Sequence, residues 1–323
     1  MQTVSIVVPV MDEQETVQTL AERITCVFTE KLTDTATLNE IIFVDDGSQD
    51  ETWLRIQAIS NDTVQGLRLR RNFGKAAALQ AGVSRATGDI VITMDGDLQD
   101  DPDEIPKLLE LIRSGFDVVS GWKRVRHDPM GKTLPSRLFN YVTARISGVR
   151  IHDFNCGFKA YRREVFESVD LYGELHRFIP ALAASMGYTV TEMEVLHHPR
   201  RFGRSKYGVG RLIKGFLDLL TVVTITKYNS RPGHLFGTAG LTLASVGAIV
   251  NLYLLAIWLA GEAIGHRPLL LLGVLLVIVG VQFILFGMMA ELIVSKQPHA
   301  RSRNIVAERT GRTTAQSVRT IPA

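Results

Sequence analysis

The sequence predicts a mostly parallel α/β sheet followed by a membrane-associated helical region. Three observations carry that expectation. Short β-branched runs alternate with helix patterns, acidic residues stand where those runs end, and two late stretches of more than twenty residues hold no charge. At 323 residues the chain exceeds one typical domain, so a soluble unit of about 200 residues plus a second part is the natural division. The 46% hydrophobic content concentrates late in the chain.

VSIVVPV at 4–10 is short, β-branched and closed by a turn signal, as expected of a strand buried on both faces. Residues 15–30 read as a helix. EIIFVDD then forms a second buried strand ending at Asp45 and Asp46, followed by a helix pattern over 50–60. Residues 67–70 are a third strand candidate, 76–86 a helix, and DIVITMD a fourth strand that again stops at acids. Strands alternating with helices argue for a parallel sheet covered on both sides, and such sheets bind ligands at the carboxyl ends of their strands. The aspartates stand there.

Beyond Phe202 the character changes. RFGRSKYG is a basic, glycine-containing loop, and RLIKGFLDLLTVV places Arg211, Lys214 and Asp218 on one helical face and Leu212, Phe216, Leu219, Leu220 and Val223 on another. That pattern fits a surface helix as well as a membrane-interface helix; the spans that follow tip the reading to the interface. Residues 235–261 and 269–290 lack any charge or His and meet the length of about 20 residues that a bilayer requires. Two transmembrane helices joined by GEAIGHRP are therefore expected. Positive charge flanks them on both sides (Arg201, Arg204, Lys206, Lys214, Lys227 and Arg231 before, Lys296, Arg301, Arg303, Arg309 and Arg312 after), which places both ends in the cytoplasm. The tail past Gln297 is polar, basic and aperiodic, so it reads as disordered, near anionic lipid.

Other classes are disfavoured. A net charge of +3 is too small for a nucleic-acid binder. Cys26 and Cys156, far apart, give neither a disulfide framework nor a zinc site, and a reducing compartment fits. The N-terminus runs straight into a strand pattern without a basic leader, so no signal peptide is expected.

The sharpest chemical feature is MDGDLQDDP, with Asp95 and Asp97 one residue apart at a strand end. Two carboxylates so placed can turn towards one point, where a divalent cation bridging a diphosphate relieves their repulsion; Mg²⁺ or Mn²⁺ is the natural guest. An isolated D-x-D more often merely ends a strand. Here VDDGS supplies a second acidic strand end, with Gly47 for a tight turn and Ser48 as a helix cap, and VVPVMDEQE a third through Asp12 and Glu13. His197 with His198 is expected to close a strand, and Lys75 after Gly74 could reach a phosphate, although no Walker pattern surrounds it.

These three segments, in this order, resemble the family-2 glycosyltransferases with a GT-A fold. The resemblance implies that Pro9, Glu13 and Asp46 bind the nucleotide of the donor and that the D-x-D holds metal and diphosphate. The chain departs from many members at Met11 and Asp12, where an aromatic residue and Asn are common. RNFGKAAALQAG, DGDLQDDP, HDFNCGFKAY and HHPRRFGRSKYG are further similar to polyprenyl-phosphate glycosyltransferases, dolichyl-phosphate mannose synthases and bacterial undecaprenyl-phosphate glucosyltransferases among them. By that resemblance Gln99 joins Asp97 and Asp95 at the metal, and Asp153 stands where the catalytic carboxylate is usually assigned. Inverting transfer needs no covalent intermediate, so Cys156 is a packing residue. A phosphate monoester is already largely ionised at neutral pH, which makes orientation rather than deprotonation the task of Asp153. Bringing that anion to a donor diphosphate requires positive charge, for which Lys123, Arg137, Arg201, Arg204 and Lys206 are candidates. For Lys123 and Arg137 a solvated surface charge is an equal alternative.

The expected organisation is a GT-A domain over 1–205, a basic loop and interfacial helix over 206–232, two transmembrane helices over 233–295 and a basic tail over 296–323. The expected reaction is one in-line displacement that moves a hexose from a nucleotide sugar to polyprenyl phosphate. A UDP-glucose-like donor is favoured, with UDP-N-acetylglucosamine and GDP-mannose open, and a homo-oligomer is open too. Two rivals stand beside it. A processive polysaccharide synthase would bring a Q-x-x-R-W segment, which the chain lacks, and a non-catalytic membrane scaffold would not need Asp95, Asp97 and Asp153 intact.

Overall fold

In the computed structural model, residues 1–124, 140–169 (except 142 and 146), 175–199, 232–264 and 268–296 are described. The loop and helix expected over 206–232 lie outside them up to residue 231, as do Arg137, Arg201, Arg204, Lys206 and the tail beyond Lys296.

Strands β1 (Gln2–Val10), β2 (Ala36–Asp45), β3 (Val64–Arg68) and β4 (Ile90–Thr93) are parallel and are linked in turn by helices α1 (Val17–Glu30), α2 (Thr52–Ile59) and α3 (Lys75–Arg85). Helix α4 (Ile105–Arg113) leads to β5 (Val118–Trp122). Then β6 (Lys159–Arg162) inserts antiparallel between β4 and β5, and α5 (Arg163–Ser168) and α6 (Ile179–Ser185) lead to β7 (Val190–Glu194) beside β5. The sheet order is β3-β2-β1-β4-β6-β5-β7, mixed but mostly parallel.

Both faces of the central strands are buried, as their unbroken apolar runs require. Ile6, Ile41, Phe43 and Ile92 pack under Leu20, Ile24 and Phe28 of α1, Ile56 of α2 and Leu108 and Ile112 of α4. On the other face Val7, Ile42, Val44 and Val91 meet Ala78, Leu79 and Val83 of α3. Burying each such aliphatic side chain contributes about 1.5–3 kcal/mol. Because α1 and α2 cover one face and α3 the other, the strand order reverses between β1 and β4. That is the crevice where doubly wound sheets take ligands.

Element boundaries differ from the sequence expectation where long-range pairing decides them. The third strand covers Val64–Arg68 rather than 67–70, because Asn61 Oδ1 accepts from Thr63 N and Val64 N at 2.8 Å each and starts the pairing with β2 there. Strand β4 ends at Thr93, two residues before Asp95, since Met94 N makes one last bond to Val7 O (3.2 Å) and the chain then turns.

Helices α7 (Pro232–Leu259) and α8 (Pro268–Lys296) lie against each other, and each contains 27 residues long and apolar enough to cross a membrane. Their seam is built on glycines seven residues apart. A Cβ added to Gly240 would stand 2.6 Å from Gly280 O, one on Gly247 2.7 Å from Gly273 O, and one on Gly287 3.4 Å from Gly233 Cα. Backbones this close gain packing that side chains would block. At one end Glu291 Oε2 accepts from Gly233 N at 2.9 Å. The outward faces expose Leu241, Ile249, Leu252, Trp258, Leu271, Leu285 and Met288. A soluble protein does not leave a surface of this extent to water.

Candidate active site

The three acidic strand ends converge at the crevice beside β1. After β1 the chain turns at Asp12 (φ 54°), whose N–H donates to Ser48 Oγ (3.0 Å) while its Oδ1 accepts from Gln49 N (3.0 Å). Glu13 N donates to Thr52 Oγ1 at 2.8 Å. The loops after β1 and β2 therefore lock together. Within the second, Asp45 is fully buried, accepts from Ser48 N (2.8 Å) and is ion-paired with Arg68 (3.2 Å). The Asp46 carboxylate takes two backbone N–H groups, from Phe73 (2.8 Å) and Gly74 (2.9 Å), which fixes the RNFGK loop over the end of β2.

The third end is the D-x-D turn. Thr16 Oγ1 donates to Gly96 O at 2.6 Å and ties the turn to the start of α1. Asp97 Oδ1 accepts from Gln99 N at 3.2 Å, and Leu98 between them has φ 58°. Asp12 and Leu98 are the non-glycine residues with positive φ among the described residues, and both lie in these loops, where strain commonly marks function. Lys75, at the start of α3, is in direct contact with Asp95. Burial alone would raise the Asp95 carboxyl, but Lys75, and after it Lys123, hold it well below the usual carboxylate range. Asp95 is thus an anion throughout the physiological range.

A short loop from the other half of the sheet backs this turn. Asp153 is 1% exposed, its Oδ1 accepts from Asn155 N (3.0 Å), and its carbonyl receives Ser120 Oγ (3.4 Å). Gly157 closes the loop against Asp95, where an added Cβ would stand 2.5 Å from Asp95 Oδ1 and 2.8 Å from Oδ2. Only glycine permits that approach. Cys156 is buried, and burial first, outweighing nearby Lys123, pushes its thiol up to about 12, so it is not a nucleophile near neutral pH. His176 sits nearby, held well below its usual range by burial and then by Lys75 and Arg177.

Pro9, Glu13, Asp46, Asp95 and Asp97 lie at or just beyond the ends of β1, β2 and β4 named from the sequence, and Asp153, assigned there by resemblance, lies in the loop before β6 that backs the D-x-D turn. Two other candidates stand differently. Lys123 is neither solvated nor directed at solvent: its side chain is 13% exposed and bound to buried Asp100 at 2.7 Å, and Asp100 outweighs burial to hold the ammonium well above its usual value. Gln99 sends its amide to His198 O at 3.2 Å. Nor do His197 and His198 close a strand. Strand β7 ends at Glu194, His197 makes a lone bridge to Asp100, and His198 Nε2 meets Asp101 at 2.8 Å. Sequence reasoning missed Asp100, His176 and Gly157, whose partners lie far away along the chain, and Lys159, whose partners lie three and five residues back.

Among the described residues no three His, Cys, Asp or Glu side chains close into a metal cage. Asp95 and Asp97 offer only carboxylate oxygens, the hard donors that suit Mg²⁺ or Mn²⁺, which typically keep further positions for phosphate oxygens and water. The residues fit a cation that arrives with a diphosphate better than one caged by protein alone.

The sheet order and the acidic turn at its crevice define a glycosyltransferase of the GT-A type. The chain belongs to glycosyl transferase family 2, whose profile matches residues 5–170. It is 41% identical over 297 residues to the dodecaprenyl-phosphate galacturonate synthase of Rhizobium johnstonii, covering 90% of this chain and 87% of that one. It is 36% identical over 315 residues to an undecaprenyl-phosphate 4-deoxy-4-formamido-L-arabinose transferase of Yersinia pestis, covering 95% and 94%. Among solved structures it resembles glucosyl-3-phosphoglycerate synthase of Mycobacterium tuberculosis bound to phosphoglyceric acid (TM-score 0.53, 19% identity, 69% of this chain and 79% of that one). The same enzyme with Mn²⁺, uridine diphosphate and phosphoglyceric acid gives a TM-score of 0.52 at 19% identity, over 69% and 78% of the two chains. At that identity the likeness concerns the fold.

Proposed function

We propose that this protein is a membrane-anchored inverting glycosyltransferase that moves a sugar from a nucleotide donor to a polyprenyl phosphate. The observation that carries the reading is the juxtaposition of the Asp95–Asp97 turn, the Asp46 loop and the Asp153 loop at one crevice, in a chain whose relatives bear polyprenyl-phosphate transferase names. Pro9, Glu13 and Asp46 are read as the nucleotide side. Asp95 and Asp97, with Gln99 beside them, would hold Mg²⁺ or Mn²⁺. When bound, the cation supplies the charge that lets a diphosphate approach two carboxylates and depart as a nucleoside diphosphate.

Asp153 orients the acceptor phosphate oxygen, which already carries its negative charge, for in-line attack on the anomeric carbon. Arg204, Lys206 and Arg137 are proposed to offset the acceptor phosphate and the donor diphosphate. Lys123, bound as it is to Asp100, is proposed to contribute its field more than a direct contact. A hexose donor is our reading. The names of the relatives add galacturonate and 4-deoxy-4-formamido-L-arabinose to UDP-glucose as sugars to be separated.

The test is transfer to undecaprenyl phosphate by the full chain in lipid, across a panel of nucleotide sugars with and without chelator. Chelation should abolish transfer. Asp97→Asn should lower turnover by about a hundredfold or more, the loss typical of removing a principal electrostatic stabiliser. Undiminished rates in excess chelator, or in the variant, would reject the D-x-D assignment.

A further inference from the structure

Lys159 is a charged side chain buried in the sheet. It opens β6, pairs with Thr93 on one side and Ser120 on the other, and is 2% exposed. An ammonium in such a place is costly unless its hydrogens are satisfied. Its Nζ donates to Phe154 O at 3.1 Å and makes a closer bond to Cys156 O. Both carbonyls belong to the loop that begins at Asp153, one on each side of Asn155, whose N–H in turn caps Asp153 Oδ1. An apolar residue would fill the strand position without any desolvation cost, yet would leave two buried carbonyls without this donor. The charge is explained by the loop it grips rather than by the sheet.

We propose that Lys159 is a positioning residue for Asp153: its buried ammonium clamps the Phe154 and Cys156 carbonyls and so fixes the carboxylate that faces the acceptor phosphate. The inference rests on the reading of Asp153 given above. The groups that face the ammonium are Asp153 and Cys156 on the loop, Asp95 on the turn after β4, Lys75 at the start of α3 and His176 before α6. Burial lowers the lysine most and Lys75 adds to it, against Cys156, Asp153 and Asp95, leaving it at about 8. The clamp is charged below that pH and weakens as pH rises through it.

The experiment compares wild type, Lys159→Met, Lys159→Arg, Asp153→Asn and the Met/Asn double variant as full chains in lipid. Its readouts are transfer kinetics from pH 6.5 to 9.5, nucleoside diphosphate binding with Mn²⁺, and melting temperature. Lys159→Met should lower kcat by about tenfold or more, as misplacement of a reacting group does, while donor KM stays within about threefold. Wild-type kcat should fall above about pH 8, and Lys159→Arg, charged at every pH tested, should lack that fall. In the Asp153→Asn background, adding Lys159→Met should cost less than about threefold, because both changes act on one step. Wild-type kcat in Lys159→Met overturns the clamp. So does an alkaline limb that is identical in wild type and Lys159→Arg. Loss of nucleotide binding in proportion to kcat overturns it as well. Should Lys159→Met fail to fold, Lys159→Gln, which keeps a donor for the two carbonyls without the charge, decides by the same split of kcat from donor KM. A wild-type rate in Asp153→Asn instead rejects the Asp153 reading itself.

Discussion

Gly157 matters to Asp95 through the side chain it lacks. A methyl group there would stand 2.5 Å from Asp95 Oδ1, so Gly157→Ala must displace either the carboxylate or the loop that carries Asp153. The expected outcome is a loss of transfer by about tenfold or more with only a modest fall in melting temperature, since overpacking costs about 1–3 kcal/mol while a small displacement of reacting groups costs rate far more. Titration of Mn²⁺ with nucleoside diphosphate checks it: weakened binding is expected, and wild-type affinity together with a wild-type rate would refute the close-approach argument. This residue also marks the limit of what the sequence discloses. Asp46, Asp95 and Asp97 stand out in the sequence because acidic turns close three buried β-branched runs, where a single one would more often merely end a strand. Gly157, Lys159 and Asp100 have no such local signal. Gly157 and Lys159 meet their partners across 62 and 3 to 5 positions respectively, but only after β6 has entered the sheet beside β4.

At the scale of elements the same contrast holds. Strands β1, β2 and β4 announce themselves as apolar runs because both of their faces are covered. Strands β6 (KAYR) and β7 (VTEME) are four and five residues long and mix polar with apolar positions without a clear period, and their pairing is imposed by neighbours remote in sequence. The helices of the C-terminal pair are legible by length and apolarity, whereas their seam emerges only when Gly233, Gly240 and Gly247 are set against Gly287, Gly280 and Gly273. A Leu at Gly280 would drive its side chain into Gly240 O and Ala244, both within 2.8 Å of the first added carbon. Overpacking of this kind costs about 1–3 kcal/mol or more and forces helices apart. Gly280→Leu should therefore lower the melting temperature in detergent and loosen the pair, whereas Leu285→Ala on the exposed face should not. An unchanged melting temperature in Gly280→Leu would contradict the seam.

For the whole molecule, chemistry and location are bound by the substrate. A polyprenyl tail cannot leave a bilayer without exposing apolar carbons, at about 0.8 kcal/mol for each CH₂, so the enzyme has to meet the phosphate at the interface. We propose that the helical pair with its apolar exterior supplies that attachment and that the distribution of Lys and Arg in the sequence sets its direction: basic residues precede Pro232 and follow Lys296, while the connection between the helices carries only Glu262 and Arg267 as charges. Both ends are accordingly expected on the side of the nucleotide sugar, with only the connection across the membrane. Cys26 is exposed and would compete for label, so the measurement starts from Cys26→Ser; buried Cys156, its thiol pushed up to about 12, stays silent. Into that background His266→Cys and Ser302→Cys are introduced singly, and sealed vesicles of known orientation are treated with a membrane-impermeant maleimide. The expected result is labelling of the two positions from opposite sides, with transfer activity retained in both variants. Labelling of both from one side would mean that the pair does not cross the bilayer, and the enzyme would then have to reach its lipid phosphate from a surface-bound helix instead.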